Sequence, residues 1–298
     1  MWLTLTIFSA LALGIYNVLQ KKSLEGNALL PVLFLSILSS SILLFPLLLL
    51  SRLDPNTLKG TSLFVPETDL TTHIFIFLKA AIVLASWIFG YAGMKHLPLT
   101  LVSPVKATQP IWTIIGAIVL FGEILSPAQY GILGFTLLCF YLVSLVGQRE
   151  NLSFIHNRWM LCIILSTLIG AVSGLYDKFL MQRFDRMTVL VWFTWYQAVL
   201  MLFVCLLLWY PQRHEQRFRF HISIVLIGVF LSLSDFLYFQ ALTFPDSLIA
   251  VVSPIRQSAM LIPFTVGALF YHEKGLKLKI PCMLGILLGV CLLFLFSH

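Results

Sequence analysis

Charged residues are scarce in this sequence: Asp, Glu, Lys and Arg make up 10% of its 298 residues, against roughly 25% in a soluble globular protein. Hydrophobic residues account for 59%, and the mean hydropathy is +0.97. A spanning helix needs about 20 apolar residues, so about ten such helices would leave no room for a sizeable soluble domain. The composition excludes a soluble enzyme, a nucleic-acid-binding protein and a disordered chain. It predicts an all-α polytopic membrane protein.

The sequence also lacks the short motifs of common catalytic and metal sites. Its five cysteines have no CxxC spacing, and no His/Cys cluster has the spacing of a zinc site. A phosphate-binding P-loop and a GxSxG nucleophile elbow are absent from the sequence. We therefore expect no cofactor, no metal and no enzymatic reaction. The net charge of +7 is expected to lie in loops against anionic lipid rather than to bind nucleic acid.

Ten apolar runs, each near the length that a bilayer requires, divide the chain. Ala10-Leu11-Ala12 imitates a signal-cleavage site, but the first run continues to Gln20 and ends at Lys21-Lys22, which indicates a retained helix rather than a removed signal. The runs are 2–20, 29–51, 74–94, 99–122, 129–147, 159–180, 188–210, 222–243, 247–271 and 281–297.

An internal repeat organises these runs into two halves. Residues 103–106 (SPVK) recur as 253–256 (SPIR), and Glu123 recurs as Glu273 at the same offset. Tyr91 to Pro98 aligns with Tyr238 to Pro245. The sequence therefore predicts two five-helix repeats, over residues 1–148 and 149–298.

A second set of matched residues lies near the start of each half: Gly14, Tyr16 and Asn17 correspond to Gly174, Tyr176 and Asp177. Because each half holds an odd number of helices, the second copy must cross the membrane in the opposite sense. Such inverted repeats are typical of secondary transporters, whose substrate site lies near the membrane midplane.

These matched stretches resemble the drug/metabolite transporter superfamily, and the EamA-like family in particular. The resemblance rests on 91–123 and 238–273, each followed by a glycine-containing helix (Gly131 and Gly134, Gly285 and Gly289). It implies ten helices around a central cavity, with helices five and ten at the periphery. It also implies transport of small organic molecules, often as export of metabolites or amino acids.

The orientation of the termini is open, because two arguments disagree. Family habit places the termini in the cytoplasm, whereas the positive-inside rule places them outside. The rule compares eleven basic residues in the loops opposite the termini with four on the terminal side. The eleven are Lys21, Lys22, Lys95, Arg149, Arg158, Arg213, Arg217, Arg219, Lys274, Lys277 and Lys279, and the four are Arg52, Lys59, Arg183 and Arg186.

Lys106 and Arg256 are the foremost candidates for substrate binding. Both lie inside predicted helices, where a basic residue costs about 2.5–3.5 kcal/mol at the helix centre, so such residues face a cavity or a partner. Each follows a proline by two residues, at matched positions of the repeat. We expect them to bind a carboxylate, phosphate or other anionic group. The alternative is a structural ion pair with Asp177 or Asp235.

Asp177 and Asp235 are expected either to exchange protons during transport or to neutralise these cations. Lys79 is five residues into its predicted helix, so we expect its side chain to snorkel to the interface. Lys178 lies near a helix end. For Glu123 and Glu273, at helix ends, we expect a capping or loop role.

The remaining candidates for substrate binding are polar and aromatic side chains of the matched helices. Tyrosine hydroxyls inside a membrane require hydrogen-bond partners, which favours matched tyrosines over the other aromatics. The candidates are Tyr16, Asn17, Trp87, Tyr91, Gln109, Tyr176 and Tyr238.

The sequence thus predicts a secondary transporter that moves small polar or zwitterionic metabolites by alternating access. We expect export across a bacterial inner membrane, with a small-molecule substrate and the lipid bilayer as partners. A multidrug or organic-cation exporter is the first alternative, and a membrane enzyme or lipid head-group carrier is the second. Gly285 and Gly289 permit close helix approach, either within a monomer or in a homodimer.

Overall fold

In the computed structural model, residues 1–97, 102, 105–145, 158–270 and 276–296 are described, and all regular elements among them are helical. The α-helices are α1 Trp2–Leu24, α2 Leu29–Leu53, α3 Pro55–Leu58, α4 Leu70–His96, α5 Gln109–Phe121, α6 Pro127–Leu145, α7 Arg158–Arg183, α8 Arg186–Val204, α9 Ile222–Leu242, α10 Ile249–Gln257, α11 Leu261–Phe270 and α12 Leu276–Phe296.

Six of the described helices are long and apolar enough to cross a membrane, which makes the chain an integral, multi-pass membrane protein. They are α1, α2, α4, α7, α9 and the stretch Arg186–Gln212 that begins with α8. Four further apolar stretches are shorter, at Val105–Phe121, Pro127–Leu142, Ile249–Pro263 and Ile280–Phe296. The all-helical membrane fold is confirmed, whereas the full set of ten spanning helices stays a prediction.

Proline divides the ninth predicted run, so the expectation of one helix over 247–271 is wrong. Here α10 ends at Gln257, a 3-10 turn covers Ser258–Met260, and α11 begins at Leu261. Pro263 has no N–H to bond the carbonyl of Ala259, and its ring crowds that carbonyl. The tighter 3-10 turn just before Pro263 is the local consequence.

The chain divides into two compact units, and each combines residues from both halves of the sequence. Unit 1 contains Met1–Leu84 and Asp177–Pro245, and unit 2 contains Ala85–Tyr176 and Asp246–His298. In unit 1, α9 packs along α1 and α2, and α2 also packs against α8. In unit 2, α6 packs against α12, and α5 packs against α10. The repeat boundary at residue 148 stays a prediction.

Pairs of serines join helices from the two sequence halves inside each unit. In unit 1, Ser9 of α1 donates to the carbonyl of Ser234 of α9 at 2.8 Å, and Ser234 donates back to the carbonyl of Ser9 at 3.0 Å. In unit 2, Ser86 of α4 and Ser166 of α7 exchange the same two bonds, each at 2.8 Å. Such hydrogen bonds between helices are worth about 0.6 kcal/mol each on average. They fix the register of the helices, because apolar side chains pack as well against lipid as against another helix.

The two glycines of α12, Gly285 and Gly289, permit close contact with another helix of the same chain. A side-chain carbon added to Gly285 would lie 2.5 Å from the sulfur of Cys139, and one added to Gly289 would overlap Thr136. Both partners belong to α6. The expected close approach is therefore confirmed, and it occurs between α12 and α6 of the same unit.

Candidate functional site

A buried ion pair lies in the core of unit 1, where Lys79 of α4 binds the carboxylate of Asp177 of α7. Lys79 is 3% exposed and Asp177 is 6% exposed. The expectation that Lys79 snorkels is therefore wrong. Because α4 begins at Leu70 rather than near residue 74, Lys79 lies about two and a half turns inside the helix, too deep for its side chain to reach the end.

Two phenylalanine rings also lie close to the Lys79 ammonium. Its Nζ lies 4.3 Å from the ring centroid of Phe193 of α8 and 5.3 Å from that of Phe239 of α9. Cation–π contacts of this kind stabilise the charged amine in a dry site. Four helices of unit 1 thus converge on one pair of opposite charges. Lys178, the next residue along α7, is buried as well.

Lys106 lies in unit 2, where glycine leaves room for its ammonium. A side-chain carbon added to Gly90 of α4 would lie 3.3 Å from Lys106 Nζ and 2.8 Å from the hydroxyl of Ser166. Lys106 is half-buried, and it makes no ion pair with any residue that the structure describes. The alternative of a structural ion pair therefore finds no support for Lys106.

Gln109 begins α5 one turn beyond Lys106 and packs against a second glycine. A side-chain carbon added to Gly170 of α7 would lie 3.1 Å from the Gln109 side-chain amide. Lys106 therefore lies against α4 and Gln109 against α7, each at a position where glycine permits close approach.

Arg256 also belongs to unit 2 and occupies the last turn of α10, the helix that packs against α5. It is half-buried. The matched residues Lys106 and Arg256 thus lie in one unit, on segments joined by a helix contact.

Glu123 holds the other end of α10. Its two carboxylate oxygens accept hydrogen bonds from the backbone N–H groups of Ile249, at 2.8 Å, and Ala250, at 3.0 Å. A carboxylate at this position satisfies two N–H groups that have no partner in the helix and complements the positive end of the helix dipole. The expected capping role is confirmed for Glu123, whereas Glu273 lies outside the described residues.

Tyr16 and Asp235 come together in unit 1. Tyr16 is buried against Val32, Ile224 and Ile227. Its hydroxyl forms a hydrogen bond with the side chain of Gln20, and the carboxylate of Asp235 on α9 is near enough to act on it electrostatically. Asn17, the next residue, is half-buried.

The other predicted residues fall in different units. Trp87, Tyr91 and Tyr176 are half-buried in unit 2. Tyr238 is buried in unit 1, with its ring 5.6 Å from that of Phe239.

A second polar group in unit 1 was not predicted from the sequence. The hydroxyl of Tyr196 on α8 lies 2.9 Å from Nδ1 of His73 on α4, and the ring of Trp192 packs edge-on to His73 at 4.7 Å. The four-residue spacing of Trp192 and Tyr196 places both side chains on one face of α8, but the sequence around His73 has no pattern that would link it to that face.

Comparison with known proteins divides the chain by its two sequence halves rather than by the two compact units. The sequence profile of the EamA-like transporter family matches residues 1–145 and again residues 157–295. The chain belongs to the EamA-like transporter family. Its members are membrane transporters, as the repeat predicted. No curated protein matches the chain. One solved structure, described as a crystal structure of a protein, aligns with a TM-score of 0.73 over 99% of this chain and 97% of its own, at 15% identity. At that identity the likeness extends to the fold alone.

Proposed function

We propose that this EamA-like protein is a secondary active transporter that exports small polar or zwitterionic metabolites across a bacterial inner membrane. It works by alternating access of the two inverted repeats and catalyses no chemical reaction. Lys106 and Arg256 bind the carboxylate or other anionic group of the substrate.

The observation that carries the proposal is the position of Lys106. A half-buried ammonium inside an apolar unit requires compensation, and no described residue forms an ion pair with it. Gly90 and Gly170 let the side chains of Lys106 and Gln109 approach the neighbouring helices closely, and the hydroxyl of Ser166 lies against the same glycine as Lys106. An anionic substrate group supplies the missing charge.

Arg256 supports the same assignment through its helix. Glu123 accepts hydrogen bonds from the first backbone N–H groups of α10, and α10 packs against α5. The helix that carries the Arg256 guanidinium is therefore fixed in position. Preorganised donors of this kind bind a carboxylate with geometric specificity.

The two carboxylates take different roles in this proposal. Asp177 balances the charge of Lys79. Asp235, half-buried beside Tyr16, is the group that exchanges a proton with the solvent during transport.

A ligand panel tests the binding proposal directly. Thermal unfolding of the purified protein is followed with amino acids, nucleotides, phosphate and organic cations, in the wild type, Lys106→Gln, Arg256→Gln and the matched control Lys59→Gln in an exposed loop. We expect zwitterionic or anionic ligands to stabilise the wild type and the control but neither site variant. Stabilisation by organic cations alone would replace the proposal with a multidrug exporter.

A further inference from the structure

Gln197 of α8 is a buried amide without a partner. It is 2% exposed, and neither its Nε2 nor its Oε1 forms a hydrogen bond with any residue in the described part of the chain. Buried polar groups in proteins are nearly always paired, because leaving one unpaired costs about 1–3 kcal/mol. A buried amide whose nitrogen and oxygen both lack a hydrogen bond therefore indicates a ligand that binds at another step of the transport cycle.

The position of Gln197 on α8 shows which other residues a ligand bound to its amide would approach. It follows Phe193 by four residues, so both side chains lie on the same face of α8, one turn apart. The Phe193 ring is in contact with the Lys79 ammonium, which is bound to Asp177. The unpaired amide thus lies one helical turn along α8 from the ring that contacts the Lys79 ammonium.

Charge balance restricts the ligand that this group of residues can take. Adding a lone cation or a lone anion to the buried pair would leave an uncompensated charge in an apolar core, which is strongly unfavourable. A zwitterion can exchange partners with the pair without changing the net charge, since its ammonium binds Asp177 and its carboxylate binds Lys79. The Gln197 amide then donates to the ligand carboxylate through Nε2.

We propose that Lys79, Asp177 and Gln197 form a zwitterion-binding site in unit 1. The site rests on the proposed transport function and is separate from Lys106 and Arg256, which belong to unit 2. All three side chains are almost fully buried, so this conformation is closed at the site. The ligand enters in the conformation that opens it, and the unpaired amide lowers the stability of the empty closed state.

Removing the amide separates a binding role from a packing role. Isothermal titration of the purified protein uses L-leucine, L-glutamine and L-phenylalanine, together with the methyl ester and the N-acetyl derivative of each. We expect the zwitterions to bind at least about 10-fold more tightly than the esters, which are cations, and the N-acetyl forms, which are anions. Gln197→Leu should weaken zwitterion binding about 10- to 100-fold and raise the temperature of unfolding.

Thr194→Val is the matched control, because Thr194 is buried on the same helix and its hydroxyl is already bonded to the carbonyl of Val191 at 2.8 Å. Its zwitterion affinity should equal that of the wild type. Wild-type affinity in Gln197→Leu, or equal affinity for zwitterion and ester, overturns the proposal, as does a wild-type protein that binds none of the three zwitterions.

Lys106→Gln in the same titration distinguishes this site from the one in unit 2. If both sites bind zwitterions, the wild type shows two binding events, of which Gln197→Leu weakens one and Lys106→Gln the other. Loss of all zwitterion binding in Gln197→Leu with full binding in Lys106→Gln supports the unit 1 site and contradicts the proposed role of Lys106. Loss in Lys106→Gln with full binding in Gln197→Leu overturns the unit 1 site and leaves the proposed function in place.

Discussion

Breaking the Lys79–Asp177 pair on one side should destabilise the protein far more than removing both charges. In Lys79→Met the Asp177 carboxylate, 6% exposed, loses the ammonium that it binds. Removing one partner of a buried pair costs about 3–5 kcal/mol, whereas replacing both by apolar groups is often neutral or stabilising. The two ring contacts of Lys79 add about 0.5–2 kcal/mol each, and these are lost in Lys79→Met and in the double variant but kept in Asp177→Leu.

The assay is a double-mutant cycle on the free energy of unfolding in mixed micelles. We expect Lys79→Met and Asp177→Leu each to lose about 3–5 kcal/mol and the double variant to recover most of that loss. Lys59→Met, in an exposed loop, controls for the loss of a positive charge and should leave the free energy unchanged. Additive effects of the two single substitutions would refute the assignment of a coupled, desolvated pair.

Three further substitutions and one control variant test contacts within the two units by the same measurement of the free energy of unfolding. Gly228→Val in α9 should disrupt the approach to α2, because its new side chain would overlap the backbone carbonyl of Ser36; wild-type stability would contradict that contact. Gly289→Val should cost about 1–3 kcal/mol by forcing α12 away from Thr136, and Gly131→Val, where the space is open, should be tolerated. Glu123→Ala should lower the free energy of unfolding by about 0.5–2 kcal/mol, because it removes the N-terminal cap of α10. An unchanged free energy of unfolding would contradict the capping role.

The membrane fold was predictable from the sequence because its main determinant is local. Apolar runs of bilayer length report spanning helices directly, and most described helices begin and end within a few residues of the predicted runs. The break at Ser258–Met260 was harder to predict, because membrane helices tolerate proline where neighbouring groups satisfy the freed carbonyls. Whether Pro263 kinks or divides its helix therefore depends on packing that no local pattern reveals.

The candidate site was predictable only in part, since its partners are distant in sequence. Matched positions singled out Lys106 and Arg256, and they lie in one unit. The pairing of Lys79 with Asp177 joins residues 98 positions apart, and the depth of Lys79 depended on where α4 begins. Gln197 had no matched residue and no motif, so its unpaired amide became apparent only once its burial was known.

The most direct test of the transport function is flux of labelled L-leucine, L-glutamine and L-phenylalanine in proteoliposomes. The three proteins compared are the wild type, Lys106→Gln and Arg256→Gln, each at equal reconstituted amounts. We expect the wild type to exchange at least one labelled zwitterion against the unlabelled compound, and both variants to lose most of that flux. Flux at the wild-type rate in both variants would contradict the account.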